Sequence, residues 1–395
     1  MSGPRWKATL RPAIGWLSLA IAVVLIADVL ALLDTGAHGY YIFSPGTAPT
    51  ITTSNLCRSP QQGGDLVLPD GTPCARLEVP AGKAHSVSGR LYMVDVLVGP
   101  ATPLEYLLDK IGLLNTVNDG AQLVPRGAVL GSTPQSQLGC QDTQQMQGST
   151  SSAAVVAVRR LGYKVTENDL GAQLYQVQPG SPAAAAGLQC ADVITALDGV
   201  PVHTANQLVA DLHAHKPGDK VSITVRRQDS RGANHTLELN ARLEGTPALP
   251  PQKADPSKPF LGIVAQTDTT FTLPFDVNID VGDIGGPSAG LALTLGLLDV
   301  LSGGQLTGGH RVAATGTISF DGTVGDVGGV AQKAFAVRKA GAQVFFVPSQ
   351  ELAAARSQAG SMKVYAVSSL EQTLQILKSL GGRIPPVASG QNGPG

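Results

Sequence analysis

Residues 285–293 read GGPSAGLAL and residues 315–333 read TGTISFDGTVGDVGGVAQK. In the first stretch Pro287 lacks a backbone donor and suits a first helical turn, which places Ser288 at a helix N-terminus. Unpartnered N–H groups and the positive end of the helix dipole are found there, and both can stabilise an oxyanion. Gly285, Gly286 and Ala289 are the candidate residues for that backbone role, the two glycines because they let another backbone approach closely. A serine at a helix start is usually only a cap, so this stretch alone decides little.

The second stretch supplies a base. At about 100° per residue Lys333 falls among Gly329, Val330, Ala336, Val337 and Ala340, with Arg338 and Lys339 on the opposite side. A lysine on the packing face loses solvation of its charged form, so its pKa falls. It can then accept a proton from a serine hydroxyl near neutral pH. A lysine that snorkels along an apolar groove to the surface is the competing reading.

Taken together, the two stretches resemble the proteolytic domain of the Lon family of serine proteases. The likeness lies in GGPSAGLAL and in the Thr-Gly, Gly-x-Val and Gly-Gly-x-x-x-Lys elements between Thr315 and Lys333. The resemblance implies Ser288 as nucleophile, Lys333 as general base and Thr315 as a residue orienting the lysine. It covers roughly residues 255–380. Family members that use ATP commonly carry Asp-Gly before Pro-Ser, where this chain has Gly285-Gly286. No GxxxxGK[ST] phosphate loop is present, so ATP binding and an attached unfoldase are not expected.

A second resemblance lies upstream. GSPAAAAGL, the following Asp192-Val193-Ile194 and Asp198-Gly199 are similar to PDZ domains of bacterial protease-associated type, although Ala191-Asp192 stands where that family usually has Gly-Asp. The resemblance implies binding of an extended peptide by strand addition beside the helix 204–215. A PDZ fold serving only as a spacer is the plainer alternative. The order of anchor, PDZ and proteolytic domain resembles bacterial membrane-anchored PDZ-containing Lon-like serine proteases, and implies a homo-oligomeric ring.

The chain of 395 residues allows two or three domains, and its 43% hydrophobic content allows packed cores. With 14% charged residues and a formal net charge of -1, it has no basic excess to suggest a nucleic-acid partner. Residues 13–33 are almost wholly apolar, long enough at 1.5 Å per residue to span about 30 Å of hydrocarbon. Arg5, Lys7 and Arg11 precede them, which predicts a cytoplasmic N-terminus and an extracytoplasmic catalytic domain at the cell membrane. A cleaved signal peptide ending near Thr35-Gly36-Ala37 is the alternative.

Cys57, Cys74, Cys140 and Cys190 allow three disulfide pairings, of which Cys57 with Cys74 is the most local. No CxxC or HxxxH spacing and no histidine cluster points to a metal, and no cofactor is expected. Neither a Gly-x-Ser-Gly-Gly triad serine nor His-Glu-x-x-His occurs, which sets aside trypsin-like and metalloprotease readings.

The expected fold is α+β multidomain. It consists of a cytoplasmic N-terminus and transmembrane helix (1–37), a β-rich membrane-proximal region (38–150) and a PDZ domain (151–245). A linker (246–259), a Lon-type α/β proteolytic domain (260–381) and a disordered tail (382–395) complete it. Within these, 91–98 predicts a buried strand and 102–114 a helix. Ser368 with Glu371 predicts a capping box. The predicted activity is ATP-independent serine endopeptidase cleavage of unfolded or PDZ-docked polypeptides, with a PDZ adaptor bearing an inactive proteolytic domain as the alternative.

Overall fold

A computed structural model of the chain describes residues 23, 27, 30–53, 57–58, 66–131, 135–229, 231–248 and 253–386. The chain divides into two compact units, one of residues 1–46 with 96–131 and one of residues 47–95 with 132–395.

In the smaller unit, Tyr40–Pro45 lies between Val96–Pro100 and Gln122–Pro125 in a three-stranded antiparallel sheet. Ile42, Leu114 and Ala121 form its buried cluster. The helix expected over 102–114 spans Pro103–Lys110, where Thr102 and Glu105 form a reciprocal capping box.

The membrane prediction is corrected here. Among the described residues no helix is long and apolar enough to cross a membrane. The described helical run 30–37 carries Asp34 and gives way two residues later to the strand Tyr40–Pro45. Most of the predicted span 13–33 lies outside the described residues. The fold is therefore mixed α/β and multidomain, and a single-pass placement at the cell membrane with an extracytoplasmic catalytic domain is not supported.

The larger unit holds two main sheets. The first has seven strands in the order Asn278–Asp280, Cys74–Glu78, Thr50–Thr52, Arg90–Tyr92, Arg311–Ala314, Val344–Pro348 and Lys363–Val367. From Arg90–Tyr92 onward its neighbours are parallel. Alternation along these strands sends side chains to opposite faces. Val312, Ala314, Val344 and Phe346 pack with the helices Leu138–Arg160, Gly290–Leu301 and Leu370–Ser379. Ala313, Phe345 and Val347 pack on the other face with the helices Val330–Lys339 and Leu352–Gln358. The sheet is thus covered on both sides, as expected for parallel strands rich in Val and Phe.

The second sheet is antiparallel throughout, in the order Asn234–Arg242, Lys220–Gln228, Val193–Leu197, Thr166–Val177 and Ile263–Thr272, with Val200–Pro201 paired to Val193–Leu197. Its core includes Leu174, Ile194, Ile223 and Val225, closed by Leu208 and Leu212 of the helix Ala205–His213. Val209 of the same helix is exposed.

Three expectations change with this topology. FLGIVAQ (260–266), placed with the proteolytic domain by sequence, belongs largely to the edge strand Ile263–Thr272 of the antiparallel sheet. The expected linker 246–259 contributes to a hairpin of Glu244–Thr246 with Asp255–Phe260. The region 38–150 is divided: residues 50–52, 74–78 and 90–92 are strands of the seven-stranded sheet, and Leu138–Arg160 packs in that sheet's main core. The antiparallel sheet is consequently an insertion, entered at Thr166 and left at Thr272, which face each other in register.

The last helix is capped one residue later than expected. Ser369 accepts from Gln372 N–H, while Ser368 N–H donates to the Gln372 side chain. Two disulfides join Cys57 to Cys74 and Cys140 to Cys190. Residues 382–386 form no regular element, and 387–395 lie outside the described residues.

Candidate active site

Gly285 and Gly286 end an irregular segment after the strand Asn278–Asp280. Gly286 has φ +83°, a left-handed conformation that glycine adopts without a Cβ clash. Pro287–Ala289 then form a single tight turn that runs into Gly290–Leu301, a helix buried from Gly290 through Val300. Ser288 is the half-buried second residue of that turn.

Thr315 directly follows the central parallel strand Arg311–Ala314, at its C-terminal end, and is fully buried. Ligand sites in parallel sheets characteristically lie at these strand ends. The Thr315 hydroxyl donates to the Ser288 carbonyl oxygen at 3.2 Å, and Gly316 N–H donates to the same oxygen at 2.9 Å.

Lys333 approaches from the opposite face of the sheet, one turn into the helix Val330–Lys339. It is 2% exposed, and its Nζ donates to Thr315 Oγ1 at 3.4 Å. Burial pulls its pKa down from 10.5 to about 8, against the opposing pull of Asp95 and Glu351. Asp95 itself accepts hydrogen bonds from the Thr47 amide and hydroxyl. Val330, Ala336 and Val337 are buried and Arg338 and Lys339 exposed, as the wheel predicts, but Ala340, expected on the apolar face, is exposed, and Gln332, Ala334 and Phe335 are buried as well.

The sequence-derived residues Ser288, Thr315 and Lys333 are thus joined in one hydrogen-bonded chain, with Thr315 as the shared member. The link to Ser288 runs through its backbone carbonyl; among the described residues no hydrogen bond joins Ser288 Oγ directly to Lys333 Nζ.

The three candidate backbone residues fare differently. Gly286 N–H donates to the Asp142 carbonyl at 3.0 Å and is already engaged. At Gly285 the helix Leu138–Arg160 packs closely, and a Cβ there would stand 2.9 Å from Asp142 Cβ. Ala289 is buried in the main core.

Sequence reasoning missed Asp142 and Ser149 on that helix, along with Asp95 and Glu351. Asp142 is partly desolvated, which raises its carboxyl pKa. Ser149 donates to the Pro287 carbonyl at 3.1 Å. Both lie in a Gln- and Ser-rich stretch whose polarity gives no sign of a partner.

The same helix reaches the antiparallel sheet. The side chain of Gln137, just ahead of it, makes two hydrogen bonds with the Val177 backbone, and Gln144 donates to the Leu174 carbonyl. Cys140 is bonded to Cys190. Between helix and sheet runs a groove of about 1040 Å³, lined among others by Gln145, Ser149, Tyr175, Gln266, Phe271, Pro287 and Phe320. Its lining runs from the edge strand Ile263–Thr272 to Pro287, the residue before Ser288. Among the described residues no group of His, Cys, Asp or Glu side chains could hold a metal ion.

Comparison with known proteins agrees with this division. Residues 159–240 match the PDZ domain family, and residues 271–378 match the family described as Lon protease (S16) C-terminal proteolytic domain. Serine protease PepD of Mycobacterium tuberculosis is 36% identical over 81 residues, which are 20% of this chain and 17% of that protein. A Lon protease of Chloroflexus aggregans is 32% identical over 111 residues, 27% of this chain and 13% of that protein. The chain thus spans less than a fifth of the length of either relative. A solved PDZ domain of an SdrC-like protein from Listeria monocytogenes is 23% identical, with a TM-score of 0.20, and covers 24% of this chain and 87% of that one. The chain carries a PDZ domain and, in residues 271–378, a proteolytic domain of the Lon serine-peptidase type.

Proposed function

We propose that this chain is an ATP-independent serine endopeptidase in which Ser288 is the nucleophile and Lys333 the general base. The observation that carries the reading is Lys333: buried, lowered to about 8, and hydrogen-bonded to the threonine that also holds Ser288. At pH 7 a lysine of that pKa is neutral in roughly a tenth of molecules, against fewer than one in a thousand for an ordinary lysine. Neutral Lys333 takes the Ser288 hydroxyl proton as Oγ attacks the scissile carbonyl. Protonated Lys333 then returns that proton to the leaving amine, and an acyl-enzyme forms. In the second half the neutral lysine activates water. Thr315 keeps Nζ aligned with the serine turn.

Substrates are polypeptides without stable structure, since strand addition takes an extended chain. They dock through the PDZ domain, where the edge strand Ile263–Thr272 offers its outer side for strand addition. The groove from that strand to Pro287 supports this path. A homo-oligomeric ring is part of the reading, and light scattering on purified protein tests it.

The deciding experiment is cleavage of casein, a disordered polypeptide, without nucleotide, by wild type and Ser288→Ala. Cleavage lost in the variant sustains the reading. Wild-type-like turnover by Ser288→Ala removes Ser288 as the nucleophile, and no turnover by either protein with peptide binding retained favours a PDZ adaptor instead.

A further inference from the structure

We infer that Ser149 is a positioning residue for the proposed hydrolysis: it fixes the peptide plane that aims the Ser288 N–H at the developing oxyanion. The inference rests on Ser288 being the nucleophile. Its basis is how the serine turn is held.

Ser149 is 6% exposed, and its hydroxyl donates to the Pro287 carbonyl at 3.1 Å. The peptide unit is planar and trans, so the Pro287 carbonyl and the Ser288 N–H point in opposite directions. Fixing the one therefore aims the other. On the far side of Ser288, Thr315 Oγ1 and Gly316 N–H both bond to the serine's own carbonyl. Both peptide planes flanking the nucleophile are held.

Two neighbouring positions are excluded as the donor. Gly286 N–H is engaged by the Asp142 carbonyl, and Pro287 has no N–H. The next amide is that of Ser288, in a first helical turn whose N–H groups lack partners within the helix. Asp142 and Ser149 lie seven residues apart on one helix, about 10 Å along its axis, and grip the turn on either side of Pro287. The approach depends on Gly290: a Cβ there would stand 3.2 Å from Ser149 Oγ and 2.9 Å from Ile318. The contact is thus specific in direction as well as close.

The test is casein hydrolysis by Ser149→Ala, Ser149→Cys and Ser149→Thr, with Ser288→Ala alongside and thermal melts of each. A peptidyl boronate, which forms a tetrahedral adduct with a serine, reports on the oxyanion site separately from substrate docking. Ser149→Ala should lower kcat by about 10- to 100-fold and weaken the boronate to match, with KM within about twofold. Ser149→Cys preserves the packing and weakens the donor, so it should follow alanine even if alanine misfolds. Ser149→Thr, which keeps the hydroxyl, should recover most of kcat. The inference is overturned if Ser149→Ala or Ser149→Cys folds and keeps kcat and boronate affinity while Ser288→Ala is inactive. It is also overturned if kcat loss tracks lost melting temperature and threonine restores nothing. Turnover by Ser288→Ala removes the functional reading and this inference together.

Discussion

The two sheets of the larger unit were assembled in opposite ways. The antiparallel sheet uses one stretch of chain, Thr166 to Thr272, and each strand lies beside partners drawn from that same stretch. The seven-stranded sheet draws on residues 50–92 before the insertion and 278–367 after it. One is a module with its own core; the other exists only when distant segments meet. A defect should therefore stay local in the first and spread in the second, and the candidate catalytic residues sit in the second.

The largest expected effect is at Lys333. Lys333→Met should abolish casein cleavage and yet raise thermal stability at pH 7. The folded pKa of about 8 lies below the unfolded value of 10.5, so the unfolded chain binds the extra proton between them. Wild-type stability then rises with pH from about 8 to 10.5, and below 8 the buried charge costs up to about 3 kcal/mol. Melts at pH 7 and pH 10 should show the variant's advantage shrinking at the higher pH. In wild type, kcat/KM should climb about tenfold per pH unit below 8 and level off above it. A flat profile would remove Lys333 as the base.

Arg227→Met tests the antiparallel side of the comparison. Arg227 makes two bonds to Asp192, whose side chain is 1% exposed, and removing it leaves that carboxylate buried without its cation. A loss of about 3 kcal/mol is expected. It should appear as an earlier transition of the PDZ domain, with boronate labelling of Ser288 retained. Labelling lost in step with that transition would show that the two sheets are not separable.

Asp299→Asn probes the other core with a similar magnitude and opposite sign. Burial raises the Asp299 carboxyl to about 6, and it accepts from Leu306 N–H. Because the folded pKa exceeds the unfolded 3.8, wild-type stability is highest below about 4 and declines as pH rises through 6. Asparagine keeps the acceptor and removes the charge, so it should stabilise by up to about 3 kcal/mol at pH 8 and by little at pH 4. Equal melting shifts at both values would contradict this.

The smallest effect is expected at Ala191→Gly. Ala191 has φ +73°, so the turn that glycine would make freely is kept with strain. Glycine should stabilise the PDZ domain by about 1 kcal/mol in denaturant melts.

The same contrast explains what was legible in the sequence. The PDZ strands and the Asp198-Gly199 turn follow from local signals, because their partners lie nearby in the chain. Lys333 was legible because a helical wheel needs only its own neighbours. FLGIVAQ was placed with the proteolytic domain, whereas most of it pairs in the antiparallel sheet, since alternation marks a strand without naming its partner. Residues 50–92 gave no chemical signal because their pairing with Arg311–Ala314 spans the whole insertion. Ser149 and Asp142 were invisible for a related reason: their role lies in bonds to a turn some 140 residues away, and nothing in a Gln-rich helix announces it.

The facing positions of Thr166 and Thr272 have one more consequence. Seen from the proteolytic core, the folded PDZ domain is topologically a tight hairpin, for it leaves and re-enters at a single rung. Unfolded, the same stretch becomes a loop of roughly a hundred residues, whose closure costs about 3 kcal/mol more than a short turn. Melting of the guest therefore loosens its host through chain entropy, in addition to the bonds that Gln137 and Gln144 lose to the antiparallel sheet.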